Sequence, residues 1–325
     1  MSRRQGLRTV HQFHAGSATG DAITNAMLLT RRLLRDAGYV SEIFVEHLDP
    51  ALAHELHPLD ALPTHADYVL IVRHSMGHDR YPHVAALPAP KVLIYHNVTP
   101  PALLAGAPYL RRYAELGRTQ LAGWRGGVTA ALADSDYNAI ELLRLGFDPV
   151  ATCTLLSDID ALRARAAAIP PARALRPFTV LFVGRVVPNK SQDVLVAAFA
   201  AACRAPGMPD DARLVLVGRH DGPDDTYVRR ILAAVRDAGL GDRVVLTGAV
   251  SDDELHAWYA RADLYVSLSL HEGYGVPLIE AAAHGVPVLA YAAGAVPYTL
   301  DGDAAALLDT PDPAAAGARI AALAA

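Results

Sequence analysis

The sequence predicts an α/β protein of two domains, each built on a mostly parallel sheet with helices packed on its faces. Short apolar runs alternate with amphipathic segments of helix length along the whole chain, which is the pattern of repeated βαβ units. The 325 residues exceed the size of one typical domain, which is about 100 to 200 residues. Apolar residues make up 52% of the chain and aromatic residues only 6%, which suits aliphatic helices packed on buried strands.

The first half of the chain contains apolar runs that we expect to form strands. They are Thr9–His14, Glu42–Val45, Tyr68–Val72, Lys91–Tyr95 and Val128–Ala133. Between the first two, apolar residues recur at helical spacing from Ile23 to Ala37, and Gly38 is the expected end of that helix. Prolines then interrupt the pattern between residues 166 and 177 and predict a linker.

We therefore expect an N-terminal domain over residues 1–170 and a C-terminal domain over residues 171–325. The second domain repeats the alternation of strands and helices. Its expected strands are Phe178–Val183, Arg213–Val217, Val244–Thr247, Leu264–Ser267 and Pro287–Ala290. Two α/β units of similar size are expected to leave a cleft, and ligands in such folds bind outside the carboxyl ends of the strands.

The charge balance argues against a nucleic-acid-binding protein. Lys and Arg number 29 against 34 Asp and Glu, and the formal net charge is −5; neutralising phosphates requires a concentrated basic face. Cys153 and Cys203 lack the spacing of a disulfide framework or a cysteine-rich zinc site. Nowhere does the sequence contain an apolar run of the length that a membrane helix needs, about 18 residues. We expect a cytoplasmic protein.

The segment from Ser269 to Val288 has the strongest pattern for chemistry. A strand ends there, Gly273 and Gly275 allow close approach of the backbone to a ligand, and a helix follows. Unpaired amides at a helix N-terminus stabilise a phosphate, and the nearby carboxylates of Glu272 and Glu280 suit sugar hydroxyls. A glycine-rich turn with two solvated glutamates remains the alternative.

A second loop brings positive charge to the same edge of the second domain. Gly184, Arg185 and Lys190 follow the strand that ends near Val183. A guanidinium and an ammonium together can neutralise a diphosphate leaving group. Solvated basic side chains in a loop remain the alternative.

These motifs resemble those of the retaining glycosyltransferases with the GT-B fold, family 4, which includes many bacterial polysaccharide and lipid glycosyltransferases. The resemblance rests on the E-x7-E pattern from Glu272 to Glu280, on Phe-Val-Gly-Arg with Pro-Asn-Lys after it at 182–190, on Leu-Val-Gly-Arg at 216–219 and on Val-Pro-Val-Leu-Ala after Gly285. It is dense over residues 178–310 and looser over the first domain. It implies two Rossmann-like domains that face a central cleft, with the acceptor on the first and the donor on the second.

The resemblance also implies roles for individual residues. Glu272 would contact hydroxyls of the donor sugar, Glu280 would hold the nucleotide ribose, and Arg185 with Lys190 would bind the diphosphate. The remaining donor-binding positions that it implies are Gly16, Gly184, Val250, Gly273, Tyr274, Gly275, Val276 and Leu278.

In the first domain, the resemblance covers the loop 14–21 and the end of one strand. The loop is similar to the family's glycine-rich loop and is not a dinucleotide fingerprint, because G-x-G-x-x-G is absent. His96 matches an active-site histidine that faces the transferred sugar, and Ser135 matches a serine or threonine near the cleft. We expect His96, Glu272, Arg185 and Lys190 to be the catalytic residues.

Three other interpretations compete with this one. Asp134-Ser135-Asp136 after an apolar strand mimics a D-x-D metal site, in which a divalent ion would bridge the diphosphate oxygens. The second interpretation is a histidine metal site, built from His74, His78 and His83 or from His54 and His57. No metal-binding motif links these residues, so we interpret them as surface histidines. A third is a non-catalytic binder of sugar nucleotides, because the family's usual C-terminal helical extension is expected to be missing and Tyr298 stands where relatives commonly have glutamate.

The expected function is transfer of a hexose from a nucleoside diphosphate sugar to a hydroxyl acceptor, with retention and without an obligatory metal or other cofactor. GDP-mannose is the favoured donor and a UDP-hexose the alternative, because the motifs look like those of bacterial polysaccharide mannosyltransferases. A glycan or lipid-linked glycan is the expected acceptor. Residues 109–113 with Arg118 and Arg125 are a candidate surface for peripheral contact with the inner face of the membrane, or a solvated helix face.

Overall fold

The computed structural model describes residues 8–104, 106–169, 177–220, 222 and 225–325. The chain divides into two compact units. The N-terminal unit contains residues 1–101 and 109–157, and the C-terminal unit contains residues 102–108 and 158–325. The linker predicted at residues 166–177 falls mostly on 170–176, which lie outside the described residues.

Over the described residues, the N-terminal unit alternates strands and helices. Its strands are β1 (Val10–Gly16), β2 (Ile43–His47), β3 (His57–Pro58), β4 (Val69–His74), β5 (Lys91–Tyr95), β6 (Ala130–Ala133) and β7 (Val150–Thr152). Its α-helices are α1 (Ala22–Asp36), α2 (Tyr81–Ala86), α3 (Pro108–Trp124) and α4 (Asp136–Arg144), of which α3 starts one residue before the unit's second segment. Short 3-10 turns occupy Pro50–Leu52 and Leu59–Ala61.

The strands of this unit form one parallel sheet of seven strands in the order β3-β2-β1-β4-β5-β6-β7. The order reverses at β1, and β1 lies between β2 and β4. Helix α1 begins at its cap Asp21, whose carboxylate accepts from the Thr24 amide, and it ends before Gly38, which has a φ of 85°. The predicted helix and its glycine stop are therefore confirmed.

The C-terminal unit has the same alternation. Its strands are β8 (Thr179–Val183), β9 (Arg213–Val217), β10 (Val244–Gly248), β11 (Leu264–Ser267), β12 (Val288–Tyr291) and β13 (Leu307–Leu308). Its α-helices are α5 (Ile159–Ala168), α6 (Gln192–Cys203), α7 (Thr226–Asp237), α8 (Asp252–Arg261), α9 (Val276–Ala283), α10 (Val296–Thr299) and α11 (Pro313–Ala324). Further 3-10 turns occupy Pro101–Leu104 and Pro188–Lys190.

These strands form a second parallel sheet of six strands in the order β10-β9-β8-β11-β12-β13. Strands β8 and β11 are neighbours, so the loops that follow them leave the sheet side by side. Apolar clusters cover both faces of the sheet, with Phe199 and Ile231 buried on one face and Tyr259 and Leu278 on the other. Burial on both faces explains the continuous apolar runs of these strands.

The α/β class and both parallel sheets are as predicted. Lys91–Tyr95, Arg213–Val217 and Leu264–Ser267 have the predicted ends. The sequence analysis missed β3, β7 and β13, each only two or three residues long. Such short edge strands contain too few residues to form a recognisable apolar run.

Candidate active site

The turn before helix α9 positions the first of the two predicted glutamates. Strand β11 ends at Ser267, Glu272 follows in the turn, and Gly275 caps α9 with a φ of 89°. An added Cβ at Gly275 would lie 2.8 Å from Leu278 Cδ1, so both the backbone angle and the available space favour glycine there. Pro277 has no N–H and the Leu278 amide donates to Gly275 O, so the Val276 amide is the group at this helix end that suits an anion.

Glu272 and Lys190 are in contact. Lys190 Nζ lies 2.6 Å from Glu272 Oε1, and only 22% and 14% of the two side chains are exposed. The loops that carry them follow the neighbouring strands β8 and β11, and Leu270 N donates to Asn189 O at 2.8 Å between the loops. The structure therefore brings together two of the four predicted catalytic residues, which are 82 positions apart in the sequence.

Gly294 supports Glu272 from behind and was not found by sequence analysis. Ala295 N donates to Glu272 O at 2.9 Å. A Cβ at Gly294 would lie 2.5 Å from Glu272 O, and the φ of Gly294 is 59°. The turn that carries Glu272 thus requires glycine at a position 22 residues away in the sequence. The only sign of this requirement in the sequence is that Gly294 is a glycine after an apolar strand.

Arg185 is exposed, and its guanidinium has no hydrogen bond or ion pair to any residue that the structure describes. Its backbone is held instead, because Gln192 Nε2 donates to Arg185 O at 2.8 Å. The preceding Gly184 packs so closely on Gly218 that a Cβ on Gly218 would lie 1.9 Å from Gly184 O. A fixed backbone and a free cation suit binding of an anionic ligand.

Glu280 lies on α9 in a half-buried position. Its Oε2 accepts a hydrogen bond of 2.8 Å from the hydroxyl of Tyr259 on α8. Burial raises the pKa of the Glu280 carboxyl above its usual value, while the hydrogen bond from Tyr259 opposes that rise. The carboxylate is therefore partly desolvated but has a donor on one of its oxygens.

The other predicted donor-binding positions in this unit lie in the same loops. Val250 lies between β10 and α8 and packs on the apolar cluster that contains Tyr259. Tyr274 O accepts from Thr299 Oγ1, and Gly273 is half-buried. Val276 is the first residue of α9. The Leu278 side chain is buried, and its amide already donates to Gly275 O at 3.0 Å.

In the N-terminal unit, the predicted loop starts where β1 ends at Gly16. His14 Nδ1 lies 2.7 Å from Gly16 O, and its Nε2 lies 3.0 Å from Ser75 Oγ. Burial lowers the pKa of His14 to about 4, against a partial rise from the Gly16 carbonyl. This histidine is therefore neutral at physiological pH and holds the loop in place.

His96 follows β5 and is buried between two charged groups. Its Nδ1 lies 2.6 Å from Asp134 Oδ2, and its Nε2 lies 3.4 Å from Arg73 Nη1. Since a guanidinium only donates, Nε2 is the acceptor and Nδ1 carries the hydrogen. Burial lowers the pKa of Arg73 to about 10, so the guanidinium stays charged at neutral pH. Sequence analysis missed Arg73, whose only signal is a charge at the end of an apolar strand.

The D-x-D motif is divided between two environments. Asp134 points to His96, whereas Asp136 is exposed and accepts from Thr152 Oγ1 at 2.5 Å. Ser135 caps helix α4 by accepting from Asn138 N at 3.3 Å. Within the part of the chain that the structure describes, no group of three or more His, Cys, Asp or Glu side chains is arranged to hold a metal ion.

The interpretation of His74 and His78 as surface residues is wrong. Both are buried, with 1% and 4% of their area exposed. His74 Nε2 lies 2.8 Å from Gly117 O on α3, and His78 Nδ1 lies 2.8 Å from Glu46 Oε2. Helix α3 covers the carboxyl end of β4. His74 and Gly117 are 43 positions apart, so the local sequence does not reveal their contact. The other candidates, His54, His57 and His83, are exposed as expected.

The basic segment on α3 is tied to its own unit. Arg111 pairs with Glu115 one helical turn away, and the Tyr113 hydroxyl donates to Asp79 at 2.9 Å. Tyr109 remains 67% exposed. Among the described residues, no helix has both the length and the apolar character needed to cross a membrane.

Residues 177–325 match the model of the family described as glycosyl transferases group 1. The chain is 33% identical over 154 residues to a D-inositol 3-phosphate glycosyltransferase of Salinispora tropica, which covers 46% of this chain and 31% of that protein. It is 37% identical over 112 residues to the GDP-mannose-dependent alpha-(1-6)-phosphatidylinositol monomannoside mannosyltransferase of Mycobacterium tuberculosis, covering 32% of this chain and 27% of that protein. The chain thus spans about a third of the length of such relatives.

Solved glycosyltransferases share the fold. Anabaena HepE, crystallised with UDP and glucose, superimposes with a TM-score of 0.72 at 17% identity, covering 97% of this chain and 89% of that one. WaaG, a glycosyltransferase involved in lipopolysaccharide biosynthesis, superimposes with a TM-score of 0.64 at 15% identity, covering 97% and 90%. These likenesses show the GT-B fold. The match of residues 177–325 to the glycosyl transferases group 1 model agrees with the resemblance found in the sequence.

Proposed function

We propose that this protein transfers a hexose, with mannose favoured, from a nucleoside diphosphate sugar to a hydroxyl acceptor with retention of anomeric configuration. The observation that carries the proposal is the E-x7-E pair around the start of α9. Glu272 contacts Lys190 at 2.6 Å, and the free guanidinium of Arg185 lies on the same loop as Lys190. Two cations, an amide at a helix N-terminus and two carboxylates are groups that suit a diphosphate and a sugar.

In this proposal, Arg185, Lys190 and the Val276 amide at the start of α9 bind the diphosphate. Glu272 accepts from hydroxyls of the donor sugar, and Glu280 accepts from the ribose. The cations stabilise the charge that develops on the departing diphosphate, so no metal or other cofactor is obligatory. The sugar gains oxocarbenium character as the bond to the diphosphate breaks, and the acceptor oxygen attacks from the same face, which retains the configuration.

Lys190 has to divide its contacts when the donor binds. In the structure, its ammonium pairs with the Glu272 carboxylate. A diphosphate offers more negative charge than one carboxylate, so in this proposal the ammonium turns toward the phosphate oxygens of the donor and Glu272 becomes available to sugar hydroxyls. The Lys190–Glu272 pair therefore keeps both side chains close to the place where the donor binds in this proposal.

The donor identity is the finer part of the proposal. GDP-mannose is supported by the mannosyltransferase-like motifs and by the Mycobacterium tuberculosis relative, whose name specifies GDP-mannose. A UDP-hexose is the alternative. A glycan or lipid-linked glycan of bacterial polysaccharide or glycolipid biosynthesis is the proposed acceptor. We propose a cytoplasmic location with peripheral contact at the inner face of the membrane, for which flotation with anionic liposomes is the test.

The roles of His96 and Gly16, both in the N-terminal unit, stay predictions for this reaction. His96 would face the transferred sugar, and the loop at Gly16 would approach the donor phosphates. Both imidazole nitrogens of His96 are held within the unit. Its proposed part is therefore to form a rigid wall for the sugar and not to exchange protons.

The test is product release from a panel of nucleotide sugars, GDP-mannose and UDP-glucose among them, with and without EDTA. We expect transfer that survives EDTA and falls by at least about 100-fold in Arg185→Ala and Glu272→Ala. Arg236→Ala is a matched control, because Arg236 is exposed and, among the described residues, forms an ion pair with its neighbour Asp237 alone. Full activity in both site variants, or complete loss with EDTA, would contradict the proposal. Donor binding without hydrolysis or transfer would indicate a non-catalytic binder.

A further inference from the structure

Tyr259 is a buried residue of α8 that none of the predicted site motifs includes. Its side chain is fully buried, and its hydroxyl donates to Glu280 Oε2 at 2.8 Å. Burial, together with the Glu280 charge, raises the pKa of the Tyr259 phenol well above its ordinary value. The hydroxyl therefore keeps its hydrogen and remains a donor throughout the physiological range.

Neighbouring rings fix the position of this hydroxyl. The Tyr259 ring stacks on His284 with centroids 5.0 Å apart and on Tyr265 with centroids 6.3 Å apart. His284 Nδ1 in turn lies 2.8 Å from the backbone oxygen of Glu280. Both the backbone and the carboxylate of Glu280 are thus anchored to one buried stack.

This anchoring leaves one carboxylate oxygen for a ligand. Oε2 accepts from Tyr259, whereas no hydrogen bond to Oε1 occurs among the residues that the structure describes. A carboxylate that is already held at one oxygen loses little rotamer freedom when the other binds a hydroxyl. The hydrogen bond from Tyr259 also opposes the rise in the pKa of Glu280, which keeps the group an acceptor.

We propose that Tyr259 is a positioning residue that sets ribose specificity: it holds Glu280 so that the free oxygen accepts from the ribose hydroxyls of the nucleotide. The proposal rests on the proposed function, in which Glu280 binds the ribose. It predicts that the protein binds ribonucleotides more tightly than deoxyribonucleotides. It also predicts that this preference depends on the Tyr259 hydroxyl, although that hydroxyl does not contact the nucleotide.

The experiment is calorimetric binding of GDP and UDP, and of their 2′-deoxy and 3′-deoxy analogues, to the full chain. A hydrogen bond to a charged acceptor corresponds to a preference of about 10- to 100-fold. We expect the wild-type protein to prefer at least one ribonucleotide over its deoxy analogue by this factor. Tyr259→Phe removes only the hydroxyl, and we expect it to reduce the preference to below about threefold.

The matched control is Tyr265→Phe. Tyr265 belongs to the same apolar cluster, and its hydroxyl donates to Val183 O at 3.3 Å and not to Glu280. We expect this variant to keep the wild-type preference. If Tyr259→Phe does not fold, Tyr259→Met fills the space without a hydroxyl and serves instead.

A second readout separates positioning from general loss of structure. Removal of the Tyr259 hydrogen bond raises the pKa of Glu280 further, because this bond opposes the rise caused by burial. We expect ribonucleotide affinity in Tyr259→Phe to fall more steeply than in the wild type as the pH is lowered. An unchanged ribose preference and an unchanged pH profile in this variant would overturn the proposal for Tyr259 but leave the proposed function standing. Absence of nucleotide binding by the wild type would overturn the proposed function itself.

Discussion

Burial of His74 makes the stability of the N-terminal unit dependent on pH. Burial, with a smaller contribution from the nearby His78, His14 and His96, lowers the pKa of His74 to about 4, and the hydrogen bond to the Gly117 carbonyl partly opposes this fall. An unfolded histidine titrates near 6.5. Below that pH the unfolded chain takes up a proton that the folded chain refuses, so stability is full above pH 6.5 and is lost as the pH falls toward 4.

The two pKa values of His74 give the size of this loss. From pH 7.5 to pH 5, the difference between titration near 6.5 and titration at about 4 amounts to about 2 kcal/mol. Burial also lowers the pKa of His14 to about 4, which adds a similar loss in the same window. Substitution of His74 by glutamine keeps an N–H donor for Gly117 O and removes the titration of this side chain.

Urea unfolding followed by the fluorescence of Trp124 measures this effect. Trp124 is buried in the N-terminal unit, and Trp258→Phe removes the other tryptophan. In that background, we expect His74→Gln to reduce the loss of unfolding free energy between pH 7.5 and pH 5 by about 2 kcal/mol. Exposed His83, changed to Gln, should leave the loss unchanged. Equal pH dependence in the His74 and His83 variants would refute the assignment of a buried, neutral His74.

Two further predictions concern residues that hold the site. Asp134→Asn removes a buried charge that contacts His96 and should lower the unfolding free energy by about 3 kcal/mol. Exposed Asp136→Asn should change it by less than about 1 kcal/mol; urea titrations compare the two, and equal effects would contradict the burial argument. Gly294→Ala should weaken donor binding at least about tenfold, because its Cβ would displace the Glu272 turn. An equal loss of affinity on Gly241→Ala, where a Cβ meets no atom within 4 Å, would contradict that reasoning.

The sequence predicts those parts of the fold that depend on local pattern. Strands such as Arg213–Val217 are continuous apolar runs because the sheet is covered on both faces. The placement of Lys190 and Glu272 at one edge of the sheet also follows from the sequence, since both lie in loops that follow strands. The contact between the two side chains is a finding of the structure.

Individual side-chain contacts between distant segments could not be predicted from the sequence. The burial of His74 depends on a carbonyl of α3, and the hydrogen bond from Tyr259 to Glu280 joins residues 21 positions apart on two helices. No local spacing distinguishes these residues from ordinary surface or core residues. Gly294 is likewise recognisable only from the backbone that approaches it.

The central claim is that the C-terminal unit binds a nucleoside diphosphate through protein cations and not through a metal. Calorimetric titration of GDP and UDP into the full chain in the presence of EDTA tests it most directly. We expect at least one of them to bind, with affinity reduced about tenfold or more in Arg185→Ala and in Lys190→Ala. Absence of binding of both nucleotides, or binding only after a divalent ion is added, would contradict the claim.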